Sequence, residues 1–210
     1  MKKKILTFAF ISVMAFSACK HDKEKPLPNL TNFTLAENSK IKWIGKAGDG
    51  RVNEGNIKVY GRIDAEIFKT NVLGNLKRGE FDVPISSIDV TNLPPDLKPV
   101  LEQHLKTADF FYAIMHPNVK IAVISAKHVN RQISDDKFMV EAEMTLLGHT
   151  HPVQFPAVIT LDGDNLKIKA DFEFDRTVWG MNYHVDNSYP DADRILKNVG
   201  VNLELKATRN

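Results

Sequence analysis

From residue 40 onward, apolar residues recur at every second position in one segment after another. Lys40 to Lys46 carries Ile41, Trp43 and Gly45 in alternation, and Asn56 to Ile67 carries Ile57, Val59, Gly61, Ile63, Ala65 and Ile67. Period two sends successive side chains to opposite faces, so each segment reads as a strand with one apolar face. Asn75 to Ile85 and Val119 to Val129 follow the same rule, through Phe81 and Val83 and through Ile121 and Val123. The cleanest alternation is Phe138, Val140, Ala142, Met144 and Leu146. Val153 to Leu161, Leu166 to Phe174 and Val199 to Ala207 complete a set of eight predicted strands.

Short clusters of turn residues, Ser134-Asp135-Asp136 and Asp162-Gly163-Asp164-Asn165, join neighbouring strands and predict antiparallel hairpins. One stretch breaks the pattern. After Pro94 and Pro95, the residues Leu97, Val100, Leu101, His104 and Leu105 are spaced three and four apart, which predicts a short amphipathic helix from Pro95 to Lys106. Eight antiparallel strands with one apolar face each form either a closed barrel or a two-sheet sandwich, and periodicity does not choose between them.

Composition changes the picture mainly at the N-terminus. Lys2, Lys3 and Lys4 precede the uncharged run Ile5 to Phe16 and the small residues Ser17 and Ala18, the order of a secretory signal over residues 1–18. Without those lysines, 28 basic residues become 25 against 26 acidic ones, and the formal charge falls from +2 to −1. That balance lacks the basic face a nucleic-acid binder needs. Cys19, the single cysteine, follows the small residues directly, so the fold rests on its core and not on disulfides. Residues 19–39 are polar and proline-bearing and read as a tether ahead of one domain over residues 40–208.

The segment Phe16-Ser17-Ala18-Cys19 resembles the lipobox of bacterial lipoproteins, which implies acylation of Cys19. The absence of an aspartate after Cys19 resembles lipoproteins sorted to an outer membrane, with the domain facing the periplasm or the cell surface. Further along, Ile41-Lys42-Trp43-Ile44-Gly45-Lys46, His104 to Phe111 with the later Pro117, Met144 to Gly148 running into His151-Pro152-Val153, Phe174 to Met181, and the closing strand together resemble the YceI-like proteins. Tyr183 to Lys197 departs from that pattern. The resemblance implies an all-β fold, an eight-stranded antiparallel lipocalin-like barrel with one short helix. It also implies non-enzymatic binding of a long-chain isoprenoid or similar amphiphilic lipid, with no other cofactor. A homodimer stays open.

The expected ligand-binding residues follow those motifs and the largest side chains: Trp43, Phe81, Phe110, Phe111, Met144, Phe155, Phe172 and Trp179. Arg176, His104 and His151 are expected to hydrogen-bond the ligand's polar head, and Arg176 to stack on Trp179 at one end of the barrel. Two rival readings exist. His149 and His151, at i and i+2, share a strand face as two metal ligands would. Alternatively, the aromatic residues fill the barrel themselves, leaving a ligand-free interaction module. Glu141 and Glu143 also share a face, but they alternate with Val140, Ala142 and Met144 and read as a solvated surface. No serine, cysteine or lysine stands in a motif for an activated nucleophile, so no catalytic residue is predicted.

Overall fold

The computed structural model describes residues 30–68, 72–130 and 136–210. The predicted signal peptide, Cys19 and the first part of the tether therefore lie outside the described residues. Eleven strands occur among the described residues: β1 (Leu30–Leu35), β2 (Lys40–Lys46), β3 (Val52–Lys58), β4 (Tyr60–Phe68), β5 (Val72–Pro84), β6 (Asp89–Val90), β7 (Asn118–His128), β8 (Lys137–Leu146), β9 (His149–Asp162), β10 (Asn165–Asp175) and β11 (Asn198–Arg209). Every pairing is antiparallel. The order β1–β4–β5–β7–β8–β9–β10–β11 returns to β1, so the sheet closes into an eight-stranded barrel and not a sandwich.

The other three strands are continuations. β2 extends β1, β3 leads into β4, and β6 extends β5, each across a short break in the ladder. β11 pairs with β1 through Ala207–Arg209 and with β2 through Gly200–Leu203, so one wall position is shared by two strand pieces. Residues 30–39, expected as tether, are thus in part barrel wall. Phe33 of β1 sits fully buried opposite Ile63. Burying that ring outweighs the polar composition around it.

Two of the breaks have a local cause. Pro84, which has no N–H for the ladder, is followed by a 3₁₀ turn over Ile85–Ser87. The break between β3 and β4 falls at Val59, whose N–H turns to Ser39 O. The helix α1 (Lys98–Leu105) is shorter than predicted because Pro99 occupies its first turn and Pro95–Leu97 forms a turn ahead of it.

The two ends of the barrel differ. At one, here called the floor, β1 begins, β11 ends and Gly163 (φ +60°) turns β9 into β10. Phe33, Phe138, Leu166 and Ala207 are fully buried there. Asp64 knits this end together by accepting from Asn32 Nδ2 at 2.7 Å and from Arg78 Nε and Nη2 at 2.9 and 2.6 Å, joining β1, β4 and β5. At the other end, the caps, two long connections cross the opening: residues 91–117, which include α1, and residues 176–197. No helix among the described residues is long and apolar enough to cross a membrane.

Candidate functional site

Inside the wall, between the floor and the caps, lies a cavity of about 250 Å³. An apolar cavity of roughly 150 Å³ stays dry and takes up benzene, so this one has room for a larger hydrocarbon. The inward set is the one carrying Ile41, Trp43, Phe81, Ile121, Phe155 and Val201, and these residues line it. From the caps, Leu101, Leu105, Phe110, Phe111 and Met181 form the roof. Gly55 makes room for the Trp43 ring, because a Cβ there would stand 2.9 Å from the indole and collide with Asp89 O.

Two charged residues reach the lining: Lys46, whose Nζ pairs with Glu173, and Arg176, which is 2% exposed. The Arg176 guanidinium donates to four carbonyls: Met181 O at 2.6 Å, Tyr183 O at 2.8 Å, Ile195 O at 3.1 Å and Leu196 O at 3.3 Å. Burial pushes its pKa down, opposed by the neighbouring Asp175 carboxylate. Arginine nevertheless stays charged at neutral pH. Its partner ring is Phe110, 6.0 Å from the guanidinium carbon, and not Trp179 as the sequence suggested. The expected head-group role is also displaced, since these donors are spent on folding the 176–197 cap. Asp175 starts that cap: its Oδ1 accepts from Thr177 N at 3.0 Å and from Thr177 Oγ1 at 2.6 Å.

The two caps meet in an aromatic cluster. His104 packs edge-on to Phe110 and Tyr183, each at 5.1 Å, and its Nε2 lies 2.9 Å from Asp109 Oδ2. Tyr183 stacks on His184, and His184 on Tyr189. Tyr112 and His184 adopt positive φ, a strained choice for such side chains that Leu147 beside Gly148 in the β8–β9 turn shares.

The structure brings eight of the eleven expected ligand residues to the cavity: Trp43, Phe81, Phe110, Phe111, Met144, Phe155, Phe172 and Arg176. Trp179, His104 and His151 stand outside its lining. Trp179 is buried against the wall, with Nε1 donating to Met144 O at 2.9 Å and His151 edge-on at 5.4 Å. His149 and His151 acquire no further ligand: no group of three or more metal-ligating side chains converges among the described residues. Glu141 points outward to Ser125 and Lys127. Sequence reasoning missed Met181 and Leu101 in the roof, though the helical spacing that set Leu101 beside Leu105 already pointed to that face.

The profile of the YceI-like domain family matches residues 35–207. The fold is similar to that of Burkholderia cenocepacia BcnA, at a TM-score of 0.60 and 14% identity over 81% of this chain and 96% of that one. A polyisoprenoid binding domain from Saccharophagus degradans, implicated in plant cell wall breakdown, superposes at 0.62 with 10% identity, covering 86% of this chain and 99% of that one. The Campylobacter jejuni YCEI protein gives 0.57 at 16% identity over 74% and 84%. A search among curated proteins finds no match. The closed barrel, its roofed cavity and a family match that spans nearly the whole of the described structure agree: this chain belongs to the YceI-like domain family.

Proposed function

We propose that this protein is a non-enzymatic carrier of one long-chain isoprenoid or acyl amphiphile, tethered in the bacterial envelope through acylated Cys19. The observation that carries the reading is the cavity itself, closed at the floor and lined almost throughout by hydrocarbon side chains. Each buried methylene contributes about 0.8 kcal/mol, so a chain binds there without a charged partner. The solved relative from Saccharophagus degradans is named for binding polyisoprenoids, which supports the ligand class. The head group stays at the caps, near His104 and Tyr183, because the interior offers it almost no polar partner.

Extraction of the purified protein with organic solvent, followed by mass spectrometry, tests the reading. The parent should release a chain lipid in near-stoichiometric amount. Val201→Trp, which fills the cavity from β11, should release at least tenfold less while keeping the parent's circular dichroism spectrum. Equal yields from both would exclude the cavity as the site. The tether has its own test: Cys19→Ser should move the protein from the membrane to the soluble fraction, or leave it unprocessed. Unchanged fractionation and migration would remove the anchor.

A further inference from the structure

The ladder between β9 and β10 stops partway along. Only five pairs, Asn165–Lys169 against Asp162–Val158, are in register. On their other sides β9 holds ten pairs with β8, and β10 holds eleven with β11. Beyond Val158 and Lys169 the two strands approach the caps with no backbone ladder between them.

Two prolines account for this. Ile159 N donates to Asp136 O at the start of β8, so odd positions of β9 direct their backbone groups toward β8 and even positions toward β10. Pro152 and Pro156 are even, and neither has an N–H to offer β10. Rings close the seam instead. Phe155 and Phe172 stack across it with centroids 4.1 Å apart and planes 5° from parallel. Nearer the caps, Trp179 stands edge-on between His151 of β9 at 5.4 Å and Phe174 of β10 at 5.5 Å. Phe155, Phe172 and Phe174 also line the cavity.

We infer that the ligand's hydrocarbon chain enters and leaves the cavity sideways through this seam, with Phe155 and Phe172 as the two leaves of the gate. The inference rests on the proposed binding of a chain in the cavity. Parting any of the laddered wall strands breaks backbone bonds, and each unmade bond leaves polar groups exposed to the passing chain. Lifting the 176–197 cap breaks its hydrogen bonds to the wall, among them Leu196 N to Lys46 O at 2.8 Å and Trp179 Nε1 to Met144 O at 2.9 Å. Parting the seam at Phe155 and Phe172 breaks no strand ladder, only their ring contact, while the Trp179 Nε1–Met144 O bond holds its cap end. The parted rings offer the chain an apolar path from outside to inside.

Continued past its last pair, the register sets Phe155 opposite Phe172, as their stacking shows, and Gln154 opposite Glu173. A Gln154→Cys, Glu173→Cys pair in full-length Cys19→Ser protein therefore locks the seam when oxidised. The probe is dansyl-labelled undecanoic acid, followed by stopped-flow fluorescence. Oxidation should slow both uptake and release about tenfold, leave the equilibrium affinity within twofold, and be reversed by dithiothreitol. Phe172→Ala, which needs no cross-link, should hasten uptake about threefold. Binding that persists with rates indifferent to both changes overturns the seam and leaves the carrier reading standing. So does a cap lock, His104→Cys with Tyr183→Cys, that slows exchange where the seam lock does not. A parent that takes up no probe overturns the carrier reading, and the seam with it.

Discussion

The floor and the caps of this barrel solve opposite problems with the same alternating strands. At the floor, Phe33, Phe138 and Leu166 are fully buried, with no surface left to solvent. At the caps the strands end in long connections whose side chains roof a space without filling it. The difference teaches that stability and binding occupy separate halves of one core. A tightly filled half holds the barrel shut, which lets the other half keep a void that would otherwise destabilise it.

The largest expected effect is at the floor. Phe138→Ala should lower the unfolding free energy by about 3–4 kcal/mol, because the ring is fully buried and its loss leaves a hole among packed neighbours. Phe111→Ala, at the half-buried roof, should cost under about 1.5 kcal/mol yet lower bound lipid severalfold. Urea denaturation of both variants, paired with lipid extraction, would break the comparison if the two effects were equal.

Arg176→Met should cost about 2–4 kcal/mol, since it leaves buried carbonyls without donors. That loss should be local. Hydrogen exchange should quicken over residues 181–197 while β1, β4 and β8 keep their protection. Uniform loss of protection would show that cap and floor are one cooperative unit.

The smallest effect concerns pH. Burial pushes the Asp64 carboxyl up, but hydrogen bonds from Arg78 and Asn32 outweigh it and hold it below its ordinary value. A carboxyl depressed in the folded state adds stability above its unfolded pKa of about 4, and that share fades as pH falls through the folded value. Parent and Asp64→Asn should therefore differ in melting temperature by roughly 2–4 °C at pH 7, the shift of about 1 kcal/mol in a domain of this size, and converge toward pH 3. A gap that stays constant with pH would remove the Asp64 carboxylate from the floor's stability.

Most of the wall was legible in the sequence because burial on one face of a strand imposes period two. All eight predicted strands stand in the barrel. β1 was not legible, because Leu30–Leu35 has only Phe33 and Leu35 buried and follows a polar, proline-bearing run. The cavity aromatics were legible only as the largest side chains of the matched motifs, and which alternate set faces inward was not, because that depends on how the sheet closes. The roles of Arg176 and Trp179 were not, because the 176–197 connection has no period, and its course depends on carbonyls brought together from Met181 to Leu196. The seam was written in Pro152 and Pro156, but their meaning needs the register, which shows that both face β10.

Photolabelling tests the separation of the two halves most directly. A sixteen-carbon fatty acid carrying a terminal diazirine, bound to the purified protein, irradiated and mapped by peptide mass spectrometry, should mark residues of the cavity such as Trp43, Phe81, Phe111 and Val201. Phe33, Phe138 and Leu166 should stay unmarked. Labels on the floor residues, or labels confined to the outer surface of the wall, would contradict the account.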